Sequence, residues 1–192
     1  KAIETLKQGG KVFLNAAGKV ESGKDVVQTF TPVFWNTSWF KMRPPHTTGF
    51  LCDPAHPAFT DFPTEYHSNL QWWEIVQNAQ VMQINSFPKQ FTPILQPIDT
   101  WFLNRKLAMI FEANVGGGKL LVCSADLESN LENRPAARQL LYSLKSYMAS
   151  PGFNPKQNLT IANIQSIFEK KNTKGFDAHT TDSPDELKKG LK

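Results

Sequence analysis

His46, His56 and His67 fall near one another with Asp53, Asp61 and Glu65 between them, and these are the residue types that hold a divalent ion. A zinc or manganese ion on Asp53, His56, Glu65 and His67 would make a small metal-dependent hydrolase or isomerase. The spacing argues for hydrogen-bonded structural histidines instead. No His-x-x-x-His helix face or Cys-x-x-Cys pair is present, and Pro54, Pro57 and Pro63 chop the segment into turns. Paired carboxylates would support glycoside hydrolysis at separations of roughly 5 to 9.5 Å. Asp53, Glu65, Glu74, Asp99, Glu112 and Asp126 are available, and Asp99 and Asp126 each follow an apolar run at an expected strand end. A thiol nucleophile needs exposure and a cationic neighbour. Cys52 and Cys123 instead sit in apolar strand-like runs, outside any Gly-x-Cys-x-Gly or Gly-x-Ser-x-Gly elbow, and read as buried thiols.

Aromatic residues offer a different chemistry. The stretch from Phe34 to His46 crowds Trp35, Asn36 and Trp39 against Pro44-Pro45, which stiffens the backbone that carries His46. The chain holds five tryptophans, Trp35, Trp39, Trp72, Trp73 and Trp101, whose flat faces suit sugar rings. Trp73 falls on the face its helix should bury, which leaves the other four as the exposed set. Trp35, Asn36, Trp39, His46, Glu65, His67, Trp72 and Trp101 therefore form the candidate surface for carbohydrate or for a neighbouring domain. No catalytic residue, metal ligand or cofactor is assigned.

The elements that must position these groups follow from periodicity. Ile3 and Leu6 ahead of Gly9-Gly10 predict a short helix, and Lys11 to Asn15 a strand. Further strands are expected at Thr48–Asp53, Gln80–Ile84, Pro93–Ile98, Leu107–Ala113 and Leu120–Ser124. Ser68 with Gln71 has the form of a capping box and predicts a helix running through about Ala79, with Leu70, Trp73 and Val76 on one face. Gly116-Gly117-Gly118-Lys119 lacks the earlier Gly and following Ser or Thr of a phosphate loop, so it reads as a hairpin turn. Pro135 opens the strongest helix, carried by Leu140, Leu141, Leu144, Tyr147 and Met148 and stopped before Pro151-Gly152. Apolar strands alternating with amphipathic helices predict a layered α/β sheet over residues 1–171, followed by a polar linker or tail over 172–192. In open sheets of this kind ligands gather beyond the strand carboxyl ends, here the loops after Asn15, Cys52, Ile98 and Ser124.

At 192 residues and 40% hydrophobic, the chain can build one sizeable core. The net charge of +4 is spread along the chain rather than interleaved with aromatics, which argues against a nucleic-acid partner. No apolar run reaches the roughly 18 residues needed to span a bilayer. The opening lysine already lies in a helical pattern, as expected for a piece of a longer polypeptide.

Several segments together carry a family resemblance: Phe34 to Phe40, His56-Pro57-Ala58-Phe59 with Asp61 to His67, Gln71-Trp72-Trp73-Glu74, Gln96-Pro97-Ile98-Asp99, and Arg134 to Leu141. Over roughly residues 1–150 they resemble the carboxyl-terminal region of bacterial glycoside hydrolase family 2 proteins of the β-galactosidase type. That region is similar to a flavodoxin-like, class I glutamine amidotransferase-like sheet with helices on both faces, lying beside a separate catalytic barrel. The Asn-Glu pair bearing the family's acid/base residue is absent from this chain, as are the amidotransferase nucleophile motif and its His-x-Glu partner. The resemblance thus implies a non-catalytic accessory domain whose partners are the other domains of a longer glycosidase, with oligosaccharide as a further partner. It also implies a periplasmic or extracellular location. An independent carbohydrate-binding module is the alternative expectation.

Overall fold

In the computed structural model, which describes residues 1–30, 46–100 and 103–170, Ile3 and Leu6 lie on α1 (Ala2–Lys7). Gly9, at φ +80°, closes this helix: the Gly9 N–H donates to the Leu6 carbonyl at 3.0 Å and the Gly10 N–H to the Thr5 carbonyl at 2.9 Å. The chain then enters β1 (Lys11–Asn15). The remaining strands are β2 (Phe50–Cys52), β3 (Met82–Gln83), β4 (Leu95–Pro97), β5 (Leu107–Ala108), β6 (Ile110–Val115), β7 (Gly118–Cys123) and β8 (Asn158–Leu159). Three more α-helices are α2 (Trp73–Gln77), α3 (Pro135–Ala149) and α4 (Ile161–Gln165).

The protein is an α/β fold built on a mixed six-stranded sheet. Its centre is the antiparallel β6–β7 hairpin, turned through Gly116 and Gly117 at φ +60° and +94°, as a two-residue hairpin loop requires. On the far side of β7, β1 runs parallel, from Lys11 opposite Lys119 to Asn15 opposite Cys123. On the far side of β6, β4 pairs antiparallel at Ile110, while β8 pairs parallel at Asn114 and Val115. The edge strand β2 is antiparallel to β4, and β3 and β5 form a separate two-stranded ribbon. Gly118 is needed for a close approach: a Cβ there would meet the Gly10 carbonyl at 2.5 Å and the Leu6 carbonyl at 2.7 Å.

Side chains alternate across the hairpin, and both faces are covered. On one face Leu121 and Cys123 pack with Phe50, Phe59, Trp72, and Leu140 and Leu144 of α3. On the other, Phe111, Leu120 and Val122 pack with Leu6 of α1, Phe87, Phe91 and Ile167. The α4 side chains Ile161 and Ile164 rest against this second cluster. The tail at 172–192 lies outside the described residues.

The segment before α2 departs from its sequence pattern. A 3-10 turn over Leu70–Trp72 precedes α2, Asn69 gives no side-chain cap, and the buried Ser68 hydroxyl has no hydrogen-bond partner among the described residues, so the expected capping box does not form. The tighter turn, at three residues rather than 3.6, shifts the phase of the face. Trp72, Ile75 and Val76 point inward, at 0, 0 and 1% exposure, whereas Trp73 is 49% exposed and Leu70 79%. This reverses the two tryptophans, since Trp72 was expected outside and Trp73 inside. Trp72 receives Phe50 and Phe62 edge-on at 4.8 and 4.9 Å, and its indole N–H donates to Thr64 Oγ1 at 2.6 Å.

Trp72→Ala should therefore cost about 3–5 kcal/mol of unfolding free energy in urea titration, and Trp73→Ala about 0.5 kcal/mol or less. Equal losses would contradict the phase shift.

Candidate functional site

The carboxyl end of β2 leads directly into the most chemically equipped cleft. Asp53 Oδ1 accepts the Ala55 N–H at 2.9 Å, turning the chain into a 3-10 turn over Pro57–Phe59. His56 is the N-cap: its Nδ1 accepts the Ala58 N–H at 3.2 Å, and Pro57 fixes φ for the first turn. Ser143 on α3 fastens this turn, donating to the Ala58 carbonyl at 2.7 Å and accepting the Asp61 N–H at 3.2 Å. The His56 ring lies edge-on to Tyr147 of α3, with centroids 5.5 Å apart.

Strand β6 brings the facing group. Alternation sends Phe111 and Ala113 to one side of the sheet, so Glu112 emerges on the α3 side among apolar neighbours. There the Tyr147 hydroxyl donates to Glu112 Oε2 at 2.7 Å. Asp53, His56 and Glu112 line one cleft of about 460 Å³ together with the buried Pro93 and Ile94, the exposed Leu51 and Lys156, and Gln96 and Gln157. The Gln157 amide is clamped to the Thr92 backbone by two hydrogen bonds of 2.8 Å, which fixes that side of the cleft.

Burial lowers the His56 pKa below its usual value, against the opposing pull of the Glu112 and Asp53 charges. Nδ1 is an acceptor, so the neutral ring carries its proton on Nε2. Tyr147 is pushed up by burial and by its bond to Glu112, which keeps the phenol a donor. Burial raises the Cys52 thiol to about 11, with its Sγ donating to the Glu65 carbonyl, and raises Cys123 to about 12. Neither supplies a thiolate at neutral pH.

A second cavity of about 360 Å³ lies beyond the carboxyl ends of the parallel pair β1 and β7, where the loops after Asn15 and Ser124 meet. Its polar groups hold the protein to itself. The Ser124 hydroxyl donates to the Gln80 carbonyl at 2.6 Å, Gln80 Oε1 accepts the Val20 N–H at 3.1 Å, and Asp126 Oδ1 accepts the Glu128 and Ser129 N–H groups, each at 3.0 Å. Burial pushes the Asp126 pKa up, but these bonds and the Arg134 charge outweigh it and leave it low.

The candidates taken from sequence separate widely. Trp35, Asn36, Trp39 and Trp101 lie outside the described residues. His46 was expected on a binding surface but is only 6% exposed; it bridges to Val27, and its Nδ1 lies 2.8 Å from the Thr47 carbonyl. Trp72 is core, as described above. Glu65 and His67 are exposed, and His67 bridges antiparallel to Leu51 along the outer side of β2. No group of three or more His, Cys, Asp or Glu among the described residues could hold a metal ion, so Asp53, His56, Glu65 and His67 do not converge. Asp99 is consumed by Arg105, which reaches it at 2.9 and 3.1 Å. Glu112 was not distinguished from other carboxylates, though its place as the one acid in the apolar run from Leu107 to Ala113 was the available signal.

Residues 1–169 match the family model described as Domain of unknown function (DUF8487), so the chain belongs to that family. No curated protein matches it.

Two outcomes follow from the site's electrostatics. The His56 ring should titrate by NMR with a midpoint below about 6.5. Because the unfolded chain then takes up the proton first, stability contributed above about pH 6.5 should drain as pH falls through that window, and His56→Phe should flatten the slope. Iodoacetamide should leave Cys52 and Cys123 unmodified in the native protein and label both in urea.

Proposed function

We propose that this DUF8487 domain is a non-catalytic accessory domain of a carbohydrate-degrading glycosidase of the β-galactosidase type, acting through contact with neighbouring domains beside the substrate. The observation that carries the reading is the large apolar side chains left at the surface on β2 and over the segment from Tyr66 to Trp73. Leu51 is 53% exposed, Tyr66 65%, Leu70 79% and Trp73 49%, in and just after the segment that also holds Glu65 and His67. Exposed apolar groups of this size, interspersed with polar ones, suit a protein contact.

The motif residues support the same reading by what they do inside the fold. Arg134 joins Glu74 of α2, the Asp126 carbonyl at 2.8 Å and the Ser129 carbonyl at 2.9 Å, and so ties three segments at the start of α3. Trp72 and Asp99 are likewise committed to packing and to an ion pair. Residues that distinguish the resemblance thus maintain shape, which accords with an accessory role. The glycosidase class itself rests on the resemblance, and so does a periplasmic or extracellular location. The finer fold family, flavodoxin-like and amidotransferase-like, is part of this proposal. The parallel β1–β7 pair and the helices on both faces support it, alongside antiparallel pairs that make the sheet mixed.

Sequencing the reading frame upstream of the Lys1 codon tests the reading. It should continue into a catalytic barrel carrying an Asn-Glu pair, and purified residues 1–192 should not release nitrophenol from an aryl galactoside. A frame with no glycosidase barrel, or turnover by the purified domain that survives a contaminant control, would overturn it.

A further inference from the structure

The cleft between β2, β6 and the 155–158 strap holds polar atoms that the fold does not use. Glu112 Oε1 is left over once Oε2 has accepted the Tyr147 hydroxyl, and Asp53 Oδ2 once Oδ1 has accepted the Ala55 N–H. On His56, Nδ1 is occupied and the Nε2–H has no partner among the described residues. The Gln96 amide and the Lys156 ammonium likewise have no partner among the described residues. In the cavity beyond β1 and β7, by comparison, the Ser124 hydroxyl, the Gln80 amide and the Asp126 carboxylate are bonded within the fold. Unused groups converging over an apolar floor characterise small-molecule sites, and about 460 Å³ lies within the usual range of roughly 300–1,000 Å³.

We infer that this cleft binds a neutral polyhydroxylated ring, a mono- or disaccharide, with the ring's C–H face on Pro93 and Ile94. The donor and acceptor pattern selects that chemistry. Glu112 and Asp53 only accept, Lys156 and the His56 Nε2–H only donate, and Gln96 does both. Hydroxyl groups, which donate and accept, can satisfy all of them together. An anion would meet two carboxylates. A cation would meet Lys156 and leave the donors unpaired, at a cost of about 1–3 kcal/mol for each group desolvated without a partner. The apolar floor favours a ring with one C–H face over an acyclic polyol. His56 stays neutral because burial disfavours its charge, so it donates from one fixed nitrogen rather than repelling or attracting a charged ligand. The Gln157–Thr92 clamp and the Ser143 bonds hold both walls before ligand arrives, which limits the ordering cost of binding.

This deepens the accessory reading and rests on it for the choice of galactosides as first probes. It also moves the sugar contact away from Trp72 and Trp73, into a cleft with no tryptophan among its described lining residues.

Labelled protein titrated with galactose, lactose and galactobiose, followed by NMR, tests the inference. Saturable shifts are expected at the His56 ring, the Gln96 side-chain amide and Lys156, with millimolar midpoints. Glu112→Gln and Lys156→Met should each weaken binding by about tenfold with the melting temperature of Lys156→Met unchanged, the size expected for a hydrogen bond to a charged group. Lys156 is an exposed rim residue, so that variant remains informative if Glu112→Gln unfolds. No saturable shift with any of the sugars, or shifts confined to Trp73 and Tyr66, would overturn the assignment. Saturation of the same residues by choline or inorganic phosphate instead of the sugars would overturn the ligand class. An empty cleft in a chain whose reading frame does encode a catalytic barrel removes this inference alone. Absence of the barrel removes the accessory reading, and the titration still decides the cleft.

Discussion

Burying one hairpin on both of its faces constrains everything around it. Strands β6 and β7 expose almost no apolar surface, from Ile110 and Phe111 at one end to Val115 and Leu120 at the other, so helices must cover both sides. The cover is asymmetric. On the α1 side it is aliphatic and phenylalanine-rich, with Phe87, Phe91 and Phe111 packed edge to face at 5.2 to 5.7 Å. On the α3 side it includes tryptophan, tyrosine and one carboxylate. Glu112 is tolerated in this sheet because Tyr147 supplies a hydrogen bond and a cleft admits solvent or ligand to the remaining oxygen.

That tolerance links packing to chemistry. The same α3 residue set that fills the core, Ser143, Leu144 and Tyr147, also places His56 through the 3-10 turn and Glu112 through the phenol. A cleft supported in this way is preorganised, since its polar groups are oriented by bonds that exist without ligand. Both thiols, in contrast, are set deep enough that burial keeps them protonated, which removes the commonest covalent chemistry of cysteine from the described residues. The functional reading therefore rests on recognition and contact surfaces.

Much of the scaffold was legible in the residues. The Gly9-Gly10 stop, the β1 strand, the glycine hairpin and α3 with Pro135 at its first turn all appear where local pattern placed them. Each is governed by near-neighbour physics: positive φ at glycine, apolar period, and a proline that needs no hydrogen bond at N1. The loops after Asn15, Cys52 and Ser124, singled out as strand carboxyl ends, do open onto the two cavities described. The aromatic faces were not legible. A 3-10 turn of three residues changed which tryptophan is inside, and nothing in the string Leu70-Gln71-Trp72-Trp73 distinguishes that turn from the first turn of a helix.

By itself the sequence determined an α/β chain with a glycine hairpin, two inert-looking thiols and no metal-binding spacing, because these depend on residues adjacent in the chain. Tertiary structure alone decided that His46 and Trp72 are interior, that Trp73 is not, and that His56 faces Glu112 across a cleft. Those outcomes depend on strand pairing and helix phase between segments dozens of residues apart. Pairing energies of that kind are summed over many contacts that no short stretch of sequence displays.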